Sequence, residues 1–156
     1  MDNNTIAAIF EEIANILDIQ GADFFRINAY KRASITIANC AFDLRQMVEK
    51  NPQDIEKIPG IGKNLKDKIV ELVNTGTCKE YEELKKAFPK GLLEMLRLRG
   101  IGPKKVKLFY SKLGITTLKQ LKEAAVSHKL QGLEKMGEKS EQDILRAIEE
   151  YSHFSL

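Results

Sequence analysis

The sequence predicts an all-α protein, a helical bundle followed by a second small helical domain. Three observations carry this. No segment alternates apolar and polar residues with the period of two that a half-buried strand shows. Good helix formers (Leu, Ala, Glu, Lys, Ile) recur along the whole chain. Four prolines, no tryptophan and an aromatic share of 7% argue against a large β-sandwich. With 156 residues, 43% hydrophobic and 30% charged, the composition is that of a soluble globular protein of one ordinary domain or two small ones.

The elements follow in order. Asn3, Asn4 and Thr5 offer N-cap side chains for a first helix, in which Ile6, Ile9, Phe10, Ile13, Ile16 and Leu17 recur at helical spacing. Gly21 ends it. A second helix is expected from about Asn28 to Cys40, with Tyr30, Ile35 and Ile37 partly inward. "AFDLRQMVEK" reads as a short third element, and Asn51-Pro52 as a turn with a helix start behind it. After "IPGIG", the stretch "KNLKDKIVELVNTG" places Leu65, Ile69, Leu72 and Val73 on one face, and Gly76 stops it. "EYEELKKAFPKGLLEMLRL" gives two short helices around a Pro-Gly break. Thr116-Thr117 caps "LKQLKEAAVSHKL", and "LEKMGEKSEQDILRAIEEY" closes the chain.

Composition excludes several function classes. Cys40 and Cys78 are far apart and outside any CxxC, so they read as reduced, semi-buried thiols rather than a disulfide or zinc site. The amphipathic, acidic N-terminus is no signal peptide, and no segment reaches the length of a membrane span, so an intracellular, cytoplasmic protein with no membrane partner is expected. His128 and His153 are expected to be incidental. The net charge of +3 does not by itself indicate a polyanionic partner; its distribution does.

The chain repeats itself. Ile58-Pro59-Gly60-Ile61-Gly62 and Leu98-Arg99-Gly100-Ile101-Gly102 share the pattern apolar-x-Gly-apolar-Gly, and each precedes a basic amphipathic helix. Leu133-Glu134-Lys135-Met136-Gly137 keeps both apolar positions and the second glycine but has Lys135 for the first, a degenerate third copy. Glycine permits φ > 0 and close approach of another backbone. A turn with free N–H groups that leads into a helix N-terminus forms an anion-binding concavity. The apolar residue between the glycines should tuck between the flanking helices. Such a turn holds a phosphate through main-chain atoms and reads no base sequence. Between Leu96 and Lys112 the charged residues are all basic: Arg97, Arg99, Lys104, Lys105, Lys107 and Lys112. Lys57, Lys63, Lys66 and Lys68 surround the first turn, against Glu56 and Asp67. Two basic, phosphate-sized turns fit a polyanion with phosphates in line.

The double "PGIG…GIGP" pattern resembles the helix-hairpin-helix motifs of family X DNA polymerases, the family of DNA polymerase beta. "IFEEIANILDIQGADFFRINAYKRASITI", with "FRxxAYxRA" at residues 25–33, is similar to the opening helices of its bacterial and archaeal members. "LRGIGPKKVKLFYSKLGITTLKQL" is similar to their second hairpin and "LEKMGEKSEQDILRAI" to a third. The resemblance implies a lyase-type domain over residues 1–80 and a helix-hairpin-helix DNA-gripping domain over 81–156. It implies a partner in gapped, nicked or abasic DNA and a place in base excision repair, at the nucleoid. Gly60, Gly62, Lys63 and Arg26 would hold the 5′-phosphate side of a gap, and Gly100, Gly102, Lys104 and Lys105 the primer strand. No cofactor is required. Carbonyls of Ile58 and Ile61, and of Leu98 and Ile101, would be positions for Na+ or K+. The family's polymerase palm does not follow the third hairpin here, so no polymerase activity is expected from these residues. The chain reads as either a stand-alone module or part of a longer protein.

The same resemblance implies a chemistry. Lyase domains of this family remove a 5′-deoxyribose phosphate through a lysine Schiff base, which requires the neutral amine. By pattern the nucleophile is Lys68, with Lys57, Lys63 and Arg26 as cationic neighbours and Tyr30 orienting lysine or sugar. Four positions depart from the pattern. Asn64 and Glu80 stand where lysines are expected, Arg26 replaces another lysine, and Phe25 replaces a histidine. Three functions therefore remain open: a DNA-binding repair module, an active lyase, and an adaptor that recruits a separate repair polymerase or nuclease.

Overall fold

The computed structural model describes residues 1–154, and among them the secondary structure is helical, with no strand. The helices are α1 (Asn3–Ile19), α2 (Phe24–Ala38), α3 (Leu44–Lys50), α4 (Lys63–Thr75), α5 (Lys79–Ala87), α6 (Lys90–Leu96), α7 (Pro103–Leu113), α8 (Leu118–Val126) and α9 (Glu138–Phe154). Two 3-10 turns, Pro52–Lys57 and Lys129–Gly132, precede α4 and α9. The chain divides into two compact units, the first Met1–Lys86 and the second beginning at Ala87. A boundary at residue 80 would cut α5, all of which except Ala87 groups with the first unit.

In the first unit α1 and α2 pack along their lengths. Ile6, Phe10, Ile13 and Leu17 of α1 face Ile27, Tyr30, Ala33 and Ile37 of α2 in a core that also holds Leu44, Ile55, Ile69 and Leu72. Burying each such large apolar side chain contributes roughly 1.5–3 kcal/mol. The buried Ser34 hydroxyl donates to the Ala7 carbonyl at 2.7 Å, so it is not stranded in this apolar interface. Several local expectations need correction. The N-cap of α1 is Asp2, whose carboxylate accepts from the Thr5 N–H at 2.8 Å, so Asn3, Asn4 and Thr5 lie inside the helix. Asp23 caps α2 through the Phe25 N–H and starts it several residues before Asn28. With that start, residues 27, 30, 33, 34 and 37 form the inward stripe, and Ile35 points away, 65% exposed. Cys78 is fully buried, and burial pushes its thiol pKa up, while Cys40 is half-buried.

The second unit is built around Leu92, Met95, Val106, Phe109, Leu121, Leu130 and Ile144. The break between α5 and α6 falls at Phe88-Pro89, with Pro89 the N-cap of α6, while Gly91 sits inside that helix for a packing reason. A Cβ at Gly91 would lie 1.9 Å from the Thr116 carbonyl oxygen, so only glycine lets α6 approach that loop. His128 is not incidental. It adopts φ +62° after α8, and its Nδ1 lies 3.0 Å from the carboxylate of Glu141, which is 2% exposed. Gln131 also donates to that carboxylate at 2.6 Å. Burial pushes the Glu141 pKa up, but the bonds from His128 and Gln131 outweigh it and hold the group below the usual glutamate range.

Candidate nucleic-acid interface

The three repeats share one backbone geometry. The N–H of the middle apolar residue returns to the carbonyl three residues before it: Ile61 to Ile58 (3.0 Å), Ile101 to Leu98 (3.2 Å) and Met136 to Leu133 (3.2 Å). The residue between is left-handed each time, Gly60 at φ +86°, Gly100 at +79° and Lys135 at +63°. The following glycine gives its carbonyl to the first full helical bond, Gly62 to Lys66, Gly102 to Val106 and Gly137 to Glu141. Ile61, Ile101 and Met136 are buried and lock their turns. The third copy is therefore degenerate in sequence but complete in backbone.

Gly62 and Gly102 are the informative residues. They cap α4 and α7 with φ −88° and −105°, backbone that any residue adopts. Neither makes a side-chain cap, and Ser, Asp or Asn would hold the helix start there as well as glycine or better, by about a few tenths of a kcal/mol. A Cβ at either position would meet nothing within 4 Å. Nothing inside the molecule requires glycine at these two positions; the open face of each turn does, if a bulky group is to reach the backbone N–H groups. Lys63, Lys104 and Lys105 are exposed beside these turns. Lys105 Nζ donates to the Gly100 carbonyl at 3.1 Å, which places its charge on the second turn. Arg146 of α9, to which no sequence pattern pointed, lines a cavity of about 360 Å³ with Arg99 and Gly100, and is paired to Asp143 at 3.6 Å.

The first unit brings Arg26, Tyr30 and Lys68 together, and the residue that gathers them is Glu80. Arg26 and Tyr30 lie one helical turn apart on α2, while Lys68 comes from α4. The Tyr30 hydroxyl donates to Glu80 Oε2 at 2.7 Å, and Lys68 Nζ reaches the same oxygen at 3.0 Å. Arg26 Nη2 donates to Glu80 Oε1. Lys68 Nζ also donates to Asn64 Oδ1 at 2.6 Å, so the asparagine that replaces an expected lysine now holds the candidate nucleophile. Lys68 is 14% exposed at its side chain, far more enclosed than a solvated helix lysine, whereas Arg26 remains 48% exposed. Burial pushes the Glu80 carboxyl up, but the hydrogen bonds from Tyr30, Lys68 and Arg26 prevail and leave it below its ordinary value. Burial, then the Glu80 bond and charge, pushes the Tyr30 phenol far up, so it stays a donor. Beside Arg26, Phe24 and Phe25 are 69% and 80% exposed and pack edge to face on each other. Lys57 is exposed and paired with Asp54 at 3.0 Å rather than with this cluster.

Among the described residues no group of three or more His, Cys, Asp or Glu side chains could hold a metal ion. No described helix is long and apolar enough to cross a membrane.

Comparison with known proteins covers both units. Residues 1–78 match the family described as Helix-hairpin-helix domain, and residues 92–150 the family described as SAM-like Helix-hairpin-helix tandem. The chain is 33% identical over 150 residues to the DNA polymerase/3'-5' exonuclease PolX of Bacillus subtilis (strain 168), an alignment that takes in 96% of this chain and 25% of that protein. The chain thus spans about a quarter of that relative's length.

Proposed function

The chain belongs to the helix-hairpin-helix domain family and is similar over 96% of its length to a family X DNA polymerase, and from that premise we propose that it grips gapped or nicked DNA during repair at the cytoplasmic nucleoid. Its two helix-hairpin-helix regions make it a DNA-binding chain. The observation that carries the finer reading is the pair of exposed, uncapped glycines, Gly62 and Gly102, kept free of a Cβ where the fold does not need it. In this reading the first turn, with Lys63, receives the 5′ side of a gap through its backbone phosphates. The second, with Lys104 and Lys105, receives the backbone of the other end. Binding is independent of base sequence, because the contacts are to phosphate. Phe24 and Phe25 offer ring faces to unstacked bases. The carbonyls of Ile58 and Leu98 each accept one bond and retain a lone pair, which suits Na+ or K+. The first turn fits such an ion better, because the Lys105 ammonium already serves the second. The test is competition among gapped, nicked and intact duplexes of two unrelated sequences. Tighter binding to the interrupted duplexes, equal for both sequences, is expected; a preference for one sequence or for intact duplex would contradict the reading.

A second reading, 5′-deoxyribose-phosphate lyase, is favoured by the convergence of Lys68, Tyr30 and Arg26. The Lys68 amine would add to the C1′ aldehyde and lose water to give an imine. Loss of a C2′ proton would then expel the 3′-phosphate with its electron pair. The lysine must first leave Glu80 and shed its proton. Borohydride trapping on a 5′-deoxyribose-phosphate substrate tests this: trapping by the wild type and none by Lys68→Ala is expected, and equal trapping by both removes Lys68 from the role.

A further inference from the structure

Glu80 does more than staple helices. It occupies the first turn of α5, and that turn is anchored independently of the cluster. The Lys79 N–H donates to Glu71 of α4 at 2.8 Å, and the Thr77 hydroxyl donates to Glu82 at 2.6 Å. The carboxylate is therefore delivered to a fixed place, where both its oxygens are taken: Oε1 by Arg26, Oε2 by Tyr30 and Lys68. Two cations and a phenol converging on two oxygens form an anion seat, and the chain fills it from within. The side chain is 23% exposed, so water screens these contacts only in part.

We propose that Glu80 is a specificity-determining residue, an internal anion that competes with the terminal 5′-phosphate of DNA for Arg26, Tyr30 and Lys68. The inference rests on the DNA-gripping role proposed above. A dianionic phosphate beside Glu80 meets a like charge and finds its donors already engaged, and like-charge juxtaposition is costly. A backbone phosphodiester held at the 60–62 turn by main-chain N–H groups does not need those three side chains. The native chain should accordingly grip the gap through backbone phosphates and discriminate weakly between a 5′-phosphate and a 5′-hydroxyl margin.

The experiment compares affinity for gapped duplexes carrying 5′-phosphate or 5′-hydroxyl, in wild type, Glu80→Gln and Glu83→Gln. Glutamine keeps the shape of Glu80 and removes the charge. Glu83 lies exposed on the same helix outside the cluster and controls for the loss of one negative charge. Wild type should favour phosphate by less than about threefold, and Glu80→Gln should raise that preference about tenfold, while Glu83→Gln strengthens both duplexes alike. An unchanged ratio in Glu80→Gln, or an equal shift in Glu83→Gln, overturns the proposal. A melting temperature lowered with the ratio unchanged would mark Glu80 as a structural staple only, and would equally overturn it. Inorganic phosphate titrated against the backbone amides around residues 26, 68 and 80 supplies a readout without DNA. Glu80→Gln should bind it more tightly than wild type, and equal affinity contradicts the proposal. If wild type binds neither duplex, the DNA-gripping reading fails, while the phosphate titration still decides the role of Glu80.

Discussion

A lysine and a glutamate define the chemistry of the first unit. Lys68 is enclosed as a nucleophile would be, yet its Nζ is already engaged by the Glu80 carboxylate and the Asn64 amide oxygen, contacts it must leave before it can attack. Removing that carboxylate should help the lysine: Glu80→Gln is expected to raise the yield of borohydride trapping at Lys68, and a lower yield would make Glu80 a participant in the chemistry instead. The pH dependence has a definite sign. The folded Glu80 carboxyl lies below its unfolded value, so its contribution to stability is complete above the ordinary glutamate pKa of about 4.3 and is lost as pH falls through the folded value. Thermal unfolding of wild type and Glu80→Gln should therefore differ near neutral pH and converge in acid; curves that diverge as pH falls would contradict this. The sequence made part of this pocket legible. Arg26 and Tyr30 share a helix face by spacing, and the resemblance supplied Lys68. It flagged Glu80 only as a replaced lysine. That Glu80 organises the pocket was hidden, because its partners Tyr30 and Arg26 lie 50 and 54 residues away.

Among the elements, the hairpins were the most legible, because their glycine spacing is imposed by backbone conformation. Gly60 and Gly100 occupy φ values that other residues rarely adopt, and the buried Ile61 and Ile101 follow from the same turn. The third hairpin was legible only as a degenerate copy, because Lys135 takes the left-handed φ at the position where the other two have glycine. Its electrostatics also differ. Glu138 and Glu141 occupy the first turn of α9, where Lys63 and Lys66, or Lys104 and Lys105, follow the other two turns. A left-handed non-glycine residue costs about 1–2 kcal/mol, so Lys135→Gly should raise the stability of the second unit by about 1 kcal/mol in denaturant unfolding. It should not strengthen DNA binding, because the carboxylates remain; a marked gain in affinity would show that the third turn grips phosphate after all. Helix starts were the least legible feature. Asp2 and Asp23 cap α1 and α2 through single side-chain bonds that apolar periodicity does not register.

At the scale of the molecule, two compact units each carry a glycine turn open to solvent and flanked by exposed lysines. The net charge of +3 understates this, because acidic residues concentrate on other stretches, such as α5 and α9. Phosphate gripping predicts a steep salt dependence, with the logarithm of affinity falling by about 0.9 per duplex phosphate engaged for each tenfold rise in salt. The most direct test of the backbone clamp is the salt-dependent affinity of Gly62→Ala/Gly102→Ala for gapped DNA beside that of the wild type. These sites are cleaner than Gly60 or Gly100, where any side chain would strain the turn. A backbone clamp predicts an unchanged circular dichroism spectrum, affinity reduced about tenfold or more, and a shallower salt slope. Wild-type affinity and slope in the doubly substituted, folded protein would contradict it.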